Sequence, residues 1–311
     1  MTERMLKDFL IEMADLEREV RASDLLLLGG ILIEELHQFR SQWNAIEDQR
    51  RVEIVSQMVE MAEESADLDF NTFFHFCVSD TGPQVRERAI AGLWESEDRS
   101  VLSLLVGCMV NDTAASVRAE AAMVLGRFAI LAQGGKLLAR DGKRVYETLL
   151  EALSRFEEEL EVRRRALESI GAFQSDEVKQ WVAWGYESQD TSLRQSALCA
   201  MGRSCDSSWL PVIYGEMENE DPAMRYEAAN ACREMGEEEA VPHLASLVED
   251  YDLQVQLAAI LALGAIGGTV ARSLLRKCIR TADDEVVRDA AEVALEVTQL
   301  EEDPLRFKPT R

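Results

Sequence analysis

Apolar residues recur along this chain three, four and seven positions apart, the periodicity of one helix face, in short blocks separated by acidic turns. The blocks VRAEAAMVLG (117–126), VRRRALESIG (162–171), LRQSALCAMG (193–202), MRYEAANACR (224–233) and VQLAAILALG (255–264) share one skeleton. Alanine at many inward positions predicts helices that approach one another closely. A second apolar stretch follows before the next acidic turn, as in SVLSLLVGCMVND (100–112) and AVPHLASLVED (240–250), and predicts a second helix in each unit. Boundaries are legible too. Asp221-Pro222 supplies an N-cap and a proline at the first helical position, where its missing N–H costs nothing, and Gly236 and Gly267 stand where helices stop.

Aligned on a hydrophobic residue followed by Arg, the anchors are Val85-Arg86, Val117-Arg118, Val162-Arg163, Leu193-Arg194, Met224-Arg225, Val255-Gln256 and Val287-Arg288. Intervals between the second members are 32, 45, 31, 31, 31 and 32 residues, so a regular unit with one insertion near 127–146 accounts for all of them. One helix pair cannot bury its own apolar face, so neighbouring pairs must stack. The expected fold is all-α, an α-solenoid of helix-turn-helix repeats over 72–300. Residues 1–71 lack the anchor and are expected to form a divergent helical cap with helices near 3–20, 24–44 and 46–65. The stretch 301–311, with two prolines, reads as a flexible tail, and Leu305 to Lys308 as a candidate binding peptide.

Spacing, caps and the recurring Arg together resemble the HEAT repeat, in the short form found in phycobilisome lyase HEAT-like proteins. The resemblance spans residues 72–298 and departs at Gln256, at Arg233 where Gly is usual, and in the Arg118–Arg163 spacing. It implies a right-handed superhelix with first helices on the convex face and second helices on the concave one. It also implies that Arg86, Arg118, Arg163, Arg194, Arg225 and Arg288 form a structural ladder, pairing with acids in adjoining turns.

Composition agrees with helix: 17 Gly, 6 Pro and 6% aromatic residues leave few breakers and few strand formers. The net charge of -25 repels phosphate backbones, which argues against nucleic acid and against the basic groove of HEAT-like alkylpurine DNA glycosylases. The same field favours a partner with a basic segment. The most apolar run, LLLLGGILI (25–33), is too short to cross a bilayer, and the first residues lack a secretory pattern, so a cytoplasmic protein with no membrane insertion is expected. Cys77, Cys108, Cys199, Cys205, Cys232 and Cys278 form no close pair, and Cys77, Cys108 and Cys278 read as small buried hydrophobes.

Two clusters stand out as candidate sites. Trp181, Trp184, Tyr186, Trp209 and Tyr214 fall on two adjacent second helices. Val178, Val182 and Gly185 satisfy the core spacing, which leaves Trp181 and Trp184 together on a neighbouring face. His243 is assigned to the same partner-binding face. The competing reading packs these aromatics between repeats. In the insertion, Lys136, Lys143 and Arg144 form a local basic cluster, a candidate contact edge; its Gly-Gly-Lys lacks the spacing of a phosphate loop.

His37, His75 and His243 belong to no metal-ligand spacing, and the His-Glu dyads of helical iron hydroxylases such as deoxyhypusine hydroxylase are absent from the sequence. No catalytic residue, metal or cofactor is assigned. The expected function is a non-enzymatic scaffold or adaptor that binds a protein or peptide along the concave face. The alternative is a phycobilin lyase-like enzyme or tetrapyrrole chaperone, in which the Trp181–Tyr214 cluster stacks on a flat macrocycle.

Overall fold

The computed structural model of the protein describes residues 12–15, 17–32, 36, 40–65 and 67–302, with 299–302 by backbone alone. His37 and the segment Leu305 to Lys308 lie outside these residues, as does most of the helix expected near 3–20. The chain divides into two compact units, Met1–Ser169 and Ile170–Arg311. The described residues contain helices and no strand.

In the first unit the helices are α1 (Asp48–Glu64), α2 (Asn71–Cys77), α3 (Pro83–Ala91), α4 (Arg99–Asn111), α5 (Ala115–Gln133), α6 (Ala139–Ser154) and α7 (Leu160–Ile170), the last reaching the unit boundary. Helices α1, α3 and α5 stack in succession as one layer, and α4 and α6 pack on α5 as a second. The expected helix over 24–44 is not continuous. A short turn of helix, Ala22–Leu25, passes into a 3-10 turn at Leu26–Leu28, and the chain then leaves helical geometry at Gly29, with Gly30 at φ 66°. Two adjacent glycines make that break cheap, while Leu25 and Leu28 still reach the core. The extra residues between Arg118 and Arg163 form no separate element. They lengthen α5 and α6, which are joined by a turn at 134–138.

The second unit runs α8 (Asp176–Tyr186), α9 (Thr191–Ser204), α10 (Leu210–Glu216), α11 (Pro222–Met235), α12 (Val241–Leu247), α13 (Leu253–Ile266), α14 (Gly268–Thr281) and α15 (Glu285–Glu302). First helices α9, α11, α13 and α15 stack one on the next, and each second helix lies on its neighbouring first helix. Acid and hydroxyl side chains start these helices. Ser175 accepts from the Val178 N–H, Asp190 from Leu193, Asp221 from Ala223 and Asp252 from Gln254 and Val255. Gly236 ends α11 in the left-handed region, at φ 68°.

Close stacking depends on small residues in register. Gly171, Gly202 and Gly264, each eight residues past the anchor position, face Ala200, Ala231 and Ala294, each six past the next one. A Cβ added to any of the three glycines would come within 3 Å of its partner alanine. The pairing repeats because the anchors repeat.

Candidate functional site

Ser175 caps α8 and so sets the rotation that buries Val178, Val182 and Gly185. Trp181 and Trp184 then share the adjoining face, with ring centroids 5.4 Å apart and planes at 79°, an edge-to-face pair. Trp181 is half-buried and Trp184 is 37% exposed, so this pair reaches the surface.

The 31-residue period makes Val182, Ile213 and Leu244 equivalent buried positions. His243 therefore matches Trp181 in its repeat, while Tyr214 lies on the other side of its own core residue. The two rings stack at 4.0 Å with planes 13° apart, joining α10 to α12. The Tyr214 hydroxyl is buried without a hydrogen-bond partner, and its acidity is lowered by burial and then by nearby Cys232, Glu239 and Glu237.

Tyr186 and Trp209 belong elsewhere. The Tyr186 hydroxyl donates to the Glu216 carboxylate, which also accepts from Arg194 Nη2 at 3.1 Å, and the Arg194 guanidinium lies 5.6 Å from the Tyr186 ring. Burial, then Glu216, raises the phenol's pKa. Trp209 stands at the start of α10 with Lys179 Nζ 5.5 Å from its ring; that ammonium binds Asp206 at 2.8 Å and Ser208 Oγ at 2.6 Å. The Lys179 contact and the Ser208 hydrogen bonds bring the Asp206 carboxyl down to about 2. A cleft of about 420 Å³ opens beside Trp209, between Val178, Lys179 and Cys205. The six residues assigned to one face thus form two ring pairs and two ion-pair clusters, because Tyr186 and Trp209 mark opposite ends of the second helices.

The basic cluster spans a turn and a helix. Lys136 follows α5, whereas Lys143 and Arg144 lie on α6. Lys143 is 3.5 Å from Glu147, and Arg144 Nη1 reaches Ser103 Oγ on α4 at 3.3 Å. Arg99 and Arg140 flank Asp141 in the same region, and Arg99 holds the Asp141 carboxyl below its usual range.

The anchor arginines tie turns together. Arg86 grips Asp112 through Nε at 2.8 Å and Nη2 at 2.7 Å, and Arg225 grips Asp250 at 2.7 and 2.8 Å. Arg118 Nη2 meets Glu158 at 2.6 Å. Arg288 donates to the Ala282 carbonyl at 2.9 Å, and Arg163 lies half-buried on α7. One member of this set escapes the sequence pattern. Arg51 on α1, 1% exposed, binds the fully buried Asp80 at 3.0 Å, and Asp80 also accepts from Trp43 Nε1 at 2.6 Å. An Arg-Arg pair stands there in place of hydrophobic-Arg, which hides it from the anchor search. The acid six residues before Arg86 was the available signal, since Asp112 stands six before Arg118.

Among the described residues no group of three or more His, Cys, Asp and Glu could hold a metal ion. No described helix is long and apolar enough to cross a membrane.

Residues 210–296 match the family model for HEAT repeats. No curated protein matches the sequence at a significant level. Among solved structures, the chain is similar to the complex of CpcE and CpcF of phycocyanin lyase from a Nostoc species, at 14% identity and TM-score 0.47, over 73% of this chain and 94% of that one. It is also similar to human deoxyhypusine hydroxylase in complex with glycerol, at 16% identity and TM-score 0.37, over 96% of each chain. An engineered protein aligns at 22% identity and TM-score 0.40, over 64% of this chain and 96% of that one.

Proposed function

For a HEAT-like repeat protein such as this one, we propose a non-enzymatic scaffold that holds a protein or peptide partner on the second-helix face of its second unit, in a cytoplasmic setting. The observation that carries the reading is the Trp181–Trp184 pair, large apolar rings reaching solvent at a position where the repeat does not need them for its core. Two indoles locked edge-to-face present an uneven apolar surface, suited to side chains, and no parallel-walled slot for a flat tetrapyrrole. The charge of -25 favours a partner with a basic segment.

Trp181→Ala combined with Trp184→Ala is expected to leave helix content and melting intact while weakening partner capture by about 2 kcal/mol or more. Circular dichroism and affinity capture read the two outcomes. Cooperative loss of helix would show the rings to be core, and unchanged capture would remove them as anchors. A visible absorption band on mixing with bilin would instead favour the tetrapyrrole reading.

A further inference from the structure

The ladder follows a rule that can be checked rung by rung. Arg86, Arg118, Arg225 and Arg288 each donate to the carbonyl six residues back, on Asp80, Asp112, Asn219 and Ala282, at 2.8–2.9 Å. Where that sixth-back residue is an Asp, its carboxylate also receives the arginine of the preceding repeat. Arg51 reaches Asp80, Arg86 reaches Asp112 and Arg225 reaches Asp250, which is six before Gln256. Gln256 breaks the rule on both sides. It holds the anchor position, and the residue six before the next anchor is Ala282, so guanidinium and carboxylate are missing from the same rung. Losing one partner would leave a buried charge unpaired, whereas losing both leaves only room.

A cleft stands at that rung. A cleft of about 360 Å³ is lined by both Gln256 and Ala282, with the buried Cys278 and Val287 as apolar wall. That volume lies within the roughly 300–1,000 Å³ of ordinary ligand sites. Exposed Glu249, Asp283 and Asp284 also line it, against the single Lys277. Lys277 is bound to Glu249 at 2.8 Å, and Asp284 accepts the Val286 N–H at 2.8 Å. Among the described residues, Asp283 and Asp284 enter no ion pair.

We propose that this cleft receives the guanidinium of an arginine side chain from a bound peptide, rebuilding in trans the rung that the chain lacks. An arginine stem can pack on Cys278 and Val287 while its planar fork donates to the Gln256 amide oxygen and the Asp283 and Asp284 carboxylates. Lysine offers a compact, strongly hydrated ammonium with no fork and binds more weakly. The inference rests on the reading of the chain as a peptide-binding scaffold, and it uses none of the tryptophans.

The test titrates the ¹⁵N-labelled full chain with acetyl-Gly-Arg-Gly-amide. Saturable shifts are expected at the Gln256 side-chain amide and at the backbone of 282–284, at least about tenfold weaker for the Lys tripeptide and lost for the citrulline one. The variant carrying Gln256→Arg and Ala282→Asp closes the rung in cis and should show no shift; Ala282→Leu, which fills the cleft without new charge, should also block binding. Absence of saturation with the Arg peptide, equal binding of the citrulline peptide, or undiminished binding to both cleft variants would overturn the proposal. The Trp181→Ala and Trp184→Ala protein should keep the Arg-peptide shifts, which separates failure of the anchors from failure of the cleft.

Discussion

Glu120 on α5 has one carboxylate oxygen that is buried and without a hydrogen-bond partner. Burial, and next the proximity of Glu87, push its carboxyl up to about 7 against the opposing pull of Arg165 and Arg88. Between about pH 4.5 and 7 the folded chain thus holds a proton that the unfolded chain has released. The stability this represents is complete below about pH 4.5 and is lost as pH rises through about 7. Asp112 and Asp250 behave in the opposite sense. Burial alone would raise them, but the Arg86 and Arg225 guanidiniums, together with the N–H groups of Ala114 and Asp252, hold them below the usual range. Their contribution is present above roughly pH 4, the unfolded carboxylate range, and declines as pH falls below it. The two windows do not overlap, so they can be separated experimentally. Glu120→Gln should flatten the decline in stability between pH 5 and 8 and gain about 1–3 kcal/mol at the upper end, read by urea unfolding. An unchanged slope would show that Glu120 is ionised in the folded chain.

At the scale of elements, two glycines on helices predict opposite outcomes from one substitution. Gly107, in the middle of α4, has nothing within 4 Å of an added Cβ. Gly107→Ala should therefore stabilise by up to about 1 kcal/mol, the helix propensity difference. Gly202 on α9 would place its Cβ 2.6 Å from the Ala231 Cα on α11. Backbone cannot move aside as a flexible side chain can, so overpacking of about 1–3 kcal/mol outweighs the propensity gain. Gly202→Ala should lower the melting temperature while Gly107→Ala raises it. If both raise it, the first helices stack less tightly than the register of Gly202 on Ala231 requires.

For the whole molecule, 58 acidic residues against 33 basic ones leave a self-repulsion that pair interactions do not cancel. Salt acts on both terms. It screens exposed like charges effectively and the ladder pairs poorly, since Arg225 and Asp250 are only 6% and 7% exposed. Raising salt from 10 to 150 mM should therefore raise the melting temperature, followed by calorimetry. A fall would mean that exposed ion pairs such as Lys179–Asp206 and Lys277–Glu249 contribute more than the net charge opposes.

The helical class, the repeat period and the inward residues follow from sequence because they are local. Apolar spacing of three and four defines a face wherever it occurs, and Asp or Ser before a helix caps it whatever lies beyond. The Trp181–Trp184 pair was legible for the same reason, being three residues apart on one helix. What sequence could not deliver depends on which residues meet across repeats. Tyr186 joined Arg194 and Glu216 instead of the other aromatics, and Tyr214 found His243 one repeat away, whereas the Arg51–Asp80 pair was signalled only by the place of Asp80 six residues before Arg86. Each was decided by competition among distant contacts for the same buried space, and local propensity carries no record of that competition.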